Sequence, residues 1–256
     1  MAVTPVLAGR LRAGETLLSG WSAIPEPLVA EGVARAGFDA VVLEIQHGMH
    51  DVGSVMRGIA AVVLAGKPAL VRIPVGDNAT ASRVLDFGAE AVIAPMINSA
   101  AEARALVAAT KYPPVGERSW GPSRVLALRG TEAQQHLAGD NAVSMTFAMI
   151  ETRRALDALE EIVAVEGIDG IFVGPSDLSV SLSDGARIAP FDASLDGPLG
   201  RIVERTLAAG KTPAIYAANP DRARHFRAMG FRLIAMSSDV NYLSAGAKAM
   251  LAAYFA

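Results

Sequence analysis

Two carboxylates follow neighbouring predicted strands, where they could hold a metal ion. Glu151 follows the apolar run that ends at Ile150, and Asp177 follows the next apolar run, which ends at Val173. Carboxylates that converge from neighbouring strand ends suit a hard divalent cation completed by water and ligand oxygens. Mg²⁺ or Mn²⁺ fits best, because the chain has no Cys and no His pair in the HxH or HxxxH spacing that favours zinc. The alternative is that each acid caps the helix that follows it.

Arg72 closes the third predicted strand, whose earlier residues are apolar. Its guanidinium should therefore project at the strand end, where a planar fork suits a carboxylate or an enolate oxygen. The alternative is a structural ion pair with a neighbouring acid such as Glu44. The residues alone leave both interpretations open.

His47 differs from the other histidines because it follows the end of the second predicted strand. His50, His136 and His225 fall in segments predicted as loop or helix face, where a solvated or partly packed ring is usual. Glu44 precedes His47 by three residues, so its carboxylate could orient the imidazole and raise its basicity. His47 is therefore a candidate for proton transfer, with a structural histidine as the alternative.

The lysine positions argue against an amine nucleophile. A Schiff-base enzyme on a barrel needs a lysine directed into the barrel. The four lysines are Lys67, Lys111, Lys211 and Lys248. Two of them directly precede predicted strands, at the opposite mouth, and the other two follow or occupy predicted helices. Covalent catalysis through lysine is therefore not expected.

Alternating strands and helices would position these side chains. Eight short β-rich runs alternate with longer segments of helical period, which is typical of parallel strands joined by helical crossovers. The pattern predicts an α/β fold, a single (β/α)8 barrel over residues 1–256, whose active site lies at the C-terminal ends of the strands. The predicted strands are Thr16–Trp21, Ala40–Glu44, Ala69–Ile73, Ala91–Ala94, Ser144–Ile150, Gly170–Val173, Thr212–Tyr216 and Leu233–Met236.

Helix starts and long loops are also legible. Ser99 followed by Glu102 is a capping-box pattern ahead of an Ala-rich helix. Two long stretches, Lys111 to Gly130 and Ser183 to Pro198, show no clear regular structure. Loops of this length in a compact domain are often functional.

Composition limits the classes of partner. The 256 residues are 52% hydrophobic and carry a formal net charge of -3. Nucleic acids and anionic membranes need clustered Lys and Arg, which are missing here, so a small-molecule ligand is expected instead. Residues Met1 to Leu17 lack the apolar block of a signal peptide, and no apolar run approaches the roughly 18 residues of a membrane span. We therefore expect a cytoplasmic protein without membrane contact.

Five sequence blocks, taken together, carry a family resemblance. They are Gln46-His47-Gly48, Val71-Arg72-Ile73-Pro74, Tyr112 to Arg118, Ile150-Glu151-Thr152 and Gly174-Pro175-Ser176-Asp177-Leu178-Ser179. In their order and spacing the chain closely resembles the HpcH/HpaI aldolase family over nearly its whole length. This family includes 4-hydroxy-2-oxoheptanedioate and 2-dehydro-3-deoxyglucarate aldolases. The resemblance implies a (β/α)8 TIM barrel of the phosphoenolpyruvate/pyruvate superfamily type and a class II aldolase.

The resemblance also implies roles for the charged residues. Glu151 and Asp177 would be the metal ligands, with Co²⁺ as a further candidate ion beside Mg²⁺ and Mn²⁺. Arg72 would bind the 2-oxo acid and its enolate. His47 would belong to the proton-transfer machinery, with Glu44 orienting its ring.

Substrate binding and assembly follow from the same resemblance. The turn of Gly174, Pro175 and Ser176 would present backbone N–H groups to the substrate carboxylate, a role that helix N-termini suit. The reaction would be reversible aldol addition of pyruvate or hydroxypyruvate to an aldehyde, through a metal-stabilised enolate. A homo-oligomer is expected, a hexamer built as a trimer of dimers. The apolar face of the last helix, which includes Leu243 and Met250, would pack on its own barrel or on a neighbour's.

One block departs from the family pattern, and two other functions stay open. Many members carry Asp-x-Glu-His where this chain has Glu44-Ile45-Gln46-His47. The longer Glu44 side chain moves the carboxylate, and Gln46 removes a negative charge. A CoA-ester lyase of the related citrate lyase β-like branch would need a basic patch, for which Arg118, Arg124 and Arg129 are the available residues. A non-catalytic barrel that binds a 2-oxo acid is the third reading.

Overall fold

Eight parallel strands close into a barrel in a computed structural model that describes residues 4–256. The strands are β1 Leu17–Ser22, β2 Ala40–Glu44, β3 Ala69–Arg72, β4 Ala91–Ala94, β5 Met145–Ile150, β6 Gly170–Val173, β7 Thr212–Ala217 and β8 Leu233–Met236. Each strand pairs with the next one along the chain, and β1 pairs with β8 to close the barrel. The predicted (β/α)8 fold is confirmed, and each strand lies within one residue of its predicted limits.

Helices connect the strands around the outside of the barrel. They are α1 Leu7–Arg12, α2 Pro27–Arg35, α3 Val52–Leu64, α4 Asn78–Phe87, α5 Ala100–Thr110, α6 Ser123–Arg129, α7 Ala133–Val143, α8 Arg153–Asp157, α9 Leu159–Val163, α10 Pro175–Leu182, α11 Asp196–Ala208, α12 Pro220–Met229 and α13 Asp239–Phe255. Among residues 4–256, every helix is too short or too polar to cross a bilayer.

The two stretches predicted to lack regular structure are partly helical. Residues 111–130 contain α6, and residues 183–198 contain the short 3-10 helix Ala193–Leu195 together with the start of α11. The prediction was wrong for these parts. Helix α6 has only seven residues and follows Pro122 without a side-chain cap, so it carries no start signal that the sequence could display.

A predicted helix start is confirmed at α5. The Ser99 Oγ atom accepts a hydrogen bond of 3.2 Å from the backbone N–H of Glu102. The helix begins at the residue after Ser99. The capping pattern therefore located the start of α5 correctly.

Side chains along each strand alternate between the inside of the barrel and the surrounding helices. Val42 belongs to the apolar cluster inside the barrel, whereas Val41 packs with the helices. Because the side-chain period of a strand is two, Glu44 faces inward like Val42. Arg72 likewise follows the inward-facing Leu70 by two residues. The same alternation carries both charged groups to the C-terminal mouth of the barrel.

The last helix, α13, leaves an apolar face exposed. Leu243, Met250 and Tyr254 are 69%, 78% and 81% exposed. Only the start of the helix is tied to its own barrel, where Asp239 is buried and Tyr242 stacks near Phe38 at a ring-centroid distance of 5.5 Å. Of the two packing partners expected for this face, the chain's own barrel does not cover it within residues 4–256.

Candidate active site

One cavity of about 270 Å³ opens at the C-terminal mouth of the barrel. The predicted site residues in its wall are Glu44, His47, Arg72, Gly174, Pro175, Ser176 and Asp177. Glu151, the eighth predicted residue, lies directly behind Gly174, where an added Cβ would come within 2.6 Å of Glu151 Oε1. The structure therefore brings all the predicted site residues together, and the lack of a side chain at position 174 leaves room for the Glu151 carboxylate.

Two much larger cavities lie on the outer surface of the barrel. One of about 520 Å³ opens between α5 and α9, and one of about 680 Å³ opens beside the end of α3 and α6. Neither wall contains a residue predicted for the site. Because ligand sites combine a cavity with converging polar groups, the smaller cavity at the strand ends is the better candidate.

Glu44 and Arg72 form a buried ion pair in the floor of this cavity. They are direct partners in the register between β2 and β3, and the Arg72 Nη2 atom pairs with the Glu44 carboxylate. The other carboxylate oxygen accepts hydrogen bonds from the backbone N–H groups of Gln46 at 2.6 Å and His47 at 3.3 Å. The chain turns tightly to make these bonds, since a Cβ on Gly48 would lie 2.3 Å from the Glu44 carbonyl oxygen.

This arrangement differs from the role expected of Glu44. We expected its carboxylate to orient the imidazole of His47, but its oxygens instead bind Arg72 and two backbone N–H groups. The turn after β2 directs the backbone of His47, rather than its ring, toward the carboxylate. The imidazole side chain is exposed and lines the cavity. Glu44 thus fixes Arg72 and the backbone of the loop that carries His47.

An aromatic side chain completes the surroundings of Arg72. Its guanidinium carbon lies 4.9 Å from the ring centroid of Trp21. Such stacking and the ion pair with Glu44 together fix the plane of the guanidinium. The Arg72 Nε atom is buried and has no hydrogen-bond partner within residues 4–256. Both readings of Arg72, a ligand-binding fork and a member of a structural pair, are therefore compatible with its position.

Glu151 is a buried carboxylate with few neighbours to stabilise its charge. It is 2% exposed, and its Oε2 atom accepts a hydrogen bond of 2.9 Å from the backbone N–H of Met96. Burial raises the pKa of Glu151 to about 7, and the nearby charges of Asp177 and Glu44 add to this effect, whereas the Met96 hydrogen bond and Arg72 oppose it. A bound cation would relieve this unfavourable burial of negative charge.

Glu151 and Asp177 differ in their relation to the helices that follow them. Thr152, not Glu151, caps α8, since its Oγ1 atom accepts a hydrogen bond from the N–H of Ala155. Asp177 lies in the first turn of α10, and the cap residue of that helix is Gly174. Capping therefore does not account for Glu151, while Asp177 keeps a favourable position near a helix N-terminus.

The two carboxylates suit a divalent cation that keeps several other ligands. Within residues 4–256, no group of three or more His, Asp or Glu side chains is arranged to hold a metal ion. Mg²⁺ commonly binds to one or two protein carboxylates and takes its remaining ligands from water and substrate. Glu151, buried beside Gly174, and Asp177, exposed to the same cavity, fit that type of site.

The residues predicted to bind the substrate carboxylate form the start of α10. Gly174 is the N-cap and Pro175 is the first helical residue, and no side chain caps this end of the helix. Pro175 has no N–H group, so Ser176 and Asp177 carry the first backbone N–H groups of the helix that can bind an anion, as at other helix N-termini. The turn lines the same cavity as Arg72.

Sequence reasoning did not anticipate the aromatic and apolar part of the cavity wall. Trp21, Met149, Phe172 and Tyr216 line the cavity from β1, β5, β6 and β7. Each belongs to or packs against the cluster inside the barrel. Counting every second residue along the predicted strands would have identified them.

The structural role of His50 was also not predicted, since we expected a solvated or partly packed ring and the ring is buried. Its Nδ1 lies 3.0 Å from Ser54 Oγ and its Nε2 lies 3.3 Å from Ser22 Oγ. Burial lowers the pKa of His50. The Ser22 hydroxyl also donates a hydrogen bond of 3.1 Å to Asp239, the first residue of α13. These bonds tie the loop that carries His47 to β1 and α13.

The lysines lie away from the cavity. Lys111 is buried and pairs with Asp169 at 2.7 Å, Lys211 donates a hydrogen bond to the Val165 carbonyl, and Lys67 lines the outer cavity near α3. Lys248 is exposed on α13. No lysine is therefore part of the cavity wall, in agreement with the expectation from sequence.

Comparisons with known proteins identify the family of the chain. The family model described as HpcH/HpaI aldolase/citrate lyase matches residues 18–245. A hydroxypyruvate/pyruvate aldolase of Rhizorhabdus wittichii is 38% identical over 239 residues, covering 93% of this chain and 94% of the relative. A 4-hydroxy-2-oxo-heptane-1,7-dioate aldolase of Salmonella arizonae is 32% identical, covering 95% and 92%. A crystal structure of a family protein from Burkholderia cenocepacia has a TM-score of 0.88 at 29% identity, covering 99% of this chain and all of that one.

Proposed function

Because the chain belongs to the HpcH/HpaI aldolase/citrate lyase family and is an aldolase, a carbon-carbon lyase, we propose that it is a divalent-metal-dependent class II enzyme. Its donor is a pyruvate-like 2-oxo acid, either pyruvate or hydroxypyruvate, and its acceptor is an aldehyde. The reaction is reversible aldol addition and cleavage. The relatives named for these reactions support the choice of donor.

The observation that carries the proposal is the convergence of charged groups on one small cavity. Arg72, His47 and Asp177 line it, and Glu151 lies directly behind its wall. A volume of about 270 Å³ is near the lower end of the range for ligand pockets, roughly 300–1,000 Å³. This size suits a small oxo acid with an aldehyde.

Glu151 and Asp177 would hold the divalent cation, which when bound supplies Lewis-acid polarisation of the donor carbonyl. Mg²⁺ and Mn²⁺ are the favoured ions, with Co²⁺ as a further candidate, because both ligands are carboxylates. The first turn of α10, from Gly174 to Ser176, would donate backbone hydrogen bonds to the substrate carboxylate.

Arg72 and His47 would have different roles in forming the enolate. Arg72 places its positive charge beside the donor oxygen that becomes negative when the C3 proton leaves. His47 takes this proton, since its side chain lines the cavity and imidazole is the most frequent general base in enzymes. The enolate carbon then attacks the carbonyl carbon of the aldehyde, and the resulting alkoxide takes up a proton to balance the one removed from C3. Cleavage is the reverse.

The rival functions have less support. A CoA-ester lyase would need free cationic groups for the CoA phosphates, but two of the three arginines available for this role are paired. Arg118 is buried and pairs with Asp140 and Asp86, and Arg129 also pairs with Asp140. A non-catalytic barrel has no need of an imidazole in the same cavity as a fixed arginine and a metal-binding pair of acids. Proton exchange at C3 of pyruvate would separate an enzyme from a binding protein.

The decisive experiment is a screen of aldehydes with each donor. Pyruvate and hydroxypyruvate would be incubated with short aldehydes and with MgCl₂, MnCl₂ or CoCl₂ in separate reactions. Metal-dependent aldol products would support the proposal. Full activity after exhaustive chelation, or products from CoA esters alone, would contradict it.

Replacing Arg72 with lysine should lower kcat/KM for the aldol reaction by about 10- to 100-fold. A point-like ammonium keeps the charge but cannot hold Glu44, stack on Trp21 and bind the oxo acid in two-pronged fashion. Charged hydrogen bonds typically contribute roughly 1.5–3 kcal/mol, which corresponds to this range. Steady-state kinetics with saturating metal measures the effect.

The matched control is Arg83→Lys. Arg83 is exposed and stacks near Phe87 at 5.7 Å, on α4 and away from the cavity. It should keep parental activity. A loss of less than about threefold in Arg72→Lys would count against direct contact between Arg72 and the substrate.

We further propose that the whole chain is one domain that assembles through α13 into a hexamer, a trimer of dimers. The exposed apolar face with Leu243, Met250 and Tyr254 supports a second copy as its partner. Light scattering at micromolar concentration should give six times the chain mass. Met250→Glu should reduce this mass, because a buried unpaired charge is strongly unfavourable in an interface.

The control for assembly is Leu64→Glu. Leu64 is also exposed, but it is the last residue of α3 and therefore lies near the N-terminal ends of the strands, at the mouth of the barrel opposite the candidate cavity. This variant should keep the parental mass. A parental protein that scatters as a monomer would refute the assembly.

A further inference from the structure

Tyr216 places a phenol in the cavity wall, and the proposed chemistry gives it no role. It follows the inward-facing Ala214 by two residues at the end of β7, so its side chain also faces into the barrel. It lines the same cavity as Arg72 and His47. Within residues 4–256, no hydrogen bond engages its hydroxyl, and its pKa responds to burial and to the charges of Arg72 and Glu44.

Packing holds the phenol in a fixed relation to Arg72. The ring of Tyr216 meets Trp21 edge to face, at a centroid distance of 5.3 Å and an angle of 75°. The same Trp21 ring lies 4.9 Å from the guanidinium carbon of Arg72. The Tyr216 ring and the Arg72 guanidinium therefore pack against the same side chain, Trp21.

The surroundings of Tyr216 favour a ligand that brings its own hydroxyl. Burial raises the pKa of the phenol, an effect that Arg72 opposes, so the phenol is protonated near neutral pH and can both donate and accept a hydrogen bond. Met149 and Phe172 contribute apolar surface to the same wall. A polar substituent that met only apolar surface would lose its hydration without compensation.

We propose that Tyr216 hydrogen-bonds the C3 hydroxyl of hydroxypyruvate while Arg72 holds the oxo-acid head, and thereby favours this donor over pyruvate. The inference rests on the proposed function as a 2-oxo-acid aldolase. Pyruvate carries only hydrogen atoms on C3 and leaves the phenol unpaired. Tyr216 is therefore a determinant of donor specificity, and proton removal does not require it.

The test is Tyr216→Phe, which removes the hydroxyl and keeps the ring that packs on Trp21. Deuterium exchange at C3 of pyruvate and of hydroxypyruvate would be followed by NMR in MgCl₂-saturated protein. The kcat/KM for hydroxypyruvate should fall about tenfold, as expected for one lost hydrogen bond to substrate, while the value for pyruvate stays within about twofold. The pyruvate value also reports whether the variant is folded.

Ser238→Ala is the matched control, because Ser238 is another hydroxyl residue in the cavity wall. It should leave the ratio of the two donors unchanged. The role of Tyr216 would be overturned by an unchanged donor ratio in Tyr216→Phe, by an equal loss for both donors, or by a shift seen only in Ser238→Ala. In each of these cases, a parental enzyme that exchanges both donors would still support the proposed function. A parental protein that exchanges neither donor would contradict the proposed function and the role of Tyr216 together.

Discussion

Replacing His47 with alanine is expected to slow deuterium exchange at C3 of pyruvate by about 10²- to 10⁴-fold, the usual contribution of a positioned general base. Metal affinity and pyruvate binding should stay nearly unchanged. The His47 ring lines the cavity but is not a proposed metal ligand. The hydrogen bond from the His47 backbone N–H to Glu44 does not involve the ring, so the loop should keep its conformation in the variant. Exchange would be measured by NMR at saturating MgCl₂, and pyruvate binding by calorimetry.

His225→Ala serves as the matched control. His225 lies on α12, where its Nε2 atom is 3.1 Å from the Asp196 carboxylate, and it is not part of the cavity wall. This variant should exchange at the parental rate. If His47→Ala also exchanges at that rate, His47 takes no part in proton transfer and the base must be another group in the cavity.

Replacing Glu151 with glutamine is expected to weaken the binding of the divalent cation by at least about 10²-fold. Removing even an indirect partner of a metal ligand typically costs about 10- to 100-fold in affinity, so a direct ligand should cost at least the upper end of this range. Calorimetric titration with MnCl₂ measures the affinity without relying on activity. Excess cation should restore much of the exchange activity, a rescue that is not expected for His47→Ala.

Glu90→Gln provides the comparison with another buried glutamate. Glu90 is also buried, and burial likewise raises its pKa. Its carboxylate, however, accepts hydrogen bonds from the backbone N–H groups of Val6 and Leu7 near the start of α1. Its replacement should leave cation affinity unchanged. Parental affinity in Glu151→Gln would exclude Glu151 as a ligand.

The strands were predictable because they combine apolar runs with turn residues at their ends. Ala40–Glu44 and Gly170–Val173 match the prediction in both limits, since buried parallel strands are apolar on both faces. Helix α6 could not be predicted, because a seven-residue helix without a cap is stabilised by packing on its neighbours rather than by local sequence.

In the candidate site, too, some features follow from the local sequence and others depend on the tertiary structure. The sequence places His47, Arg72 and Asp177 at strand ends, and the barrel topology then brings strand ends together. The partner of Glu44 depends instead on the register of β2 against β3, in which Glu44 lies opposite Arg72. Residue spacing suggested His47, three positions along the chain, and left the pair with Arg72 as an open alternative, because the register cannot be read from the sequence of one strand.

The fixed position of Arg72 also has an entropic consequence. A mobile arginine side chain carries about 2 kcal/mol of rotamer entropy, much of which is lost when a ligand immobilises it. Here the ion pair with Glu44 and the ring of Trp21 restrict the side chain before any ligand arrives. The loss of conformational freedom at Arg72 is therefore part of the free energy of folding, and little of it opposes the binding of a ligand.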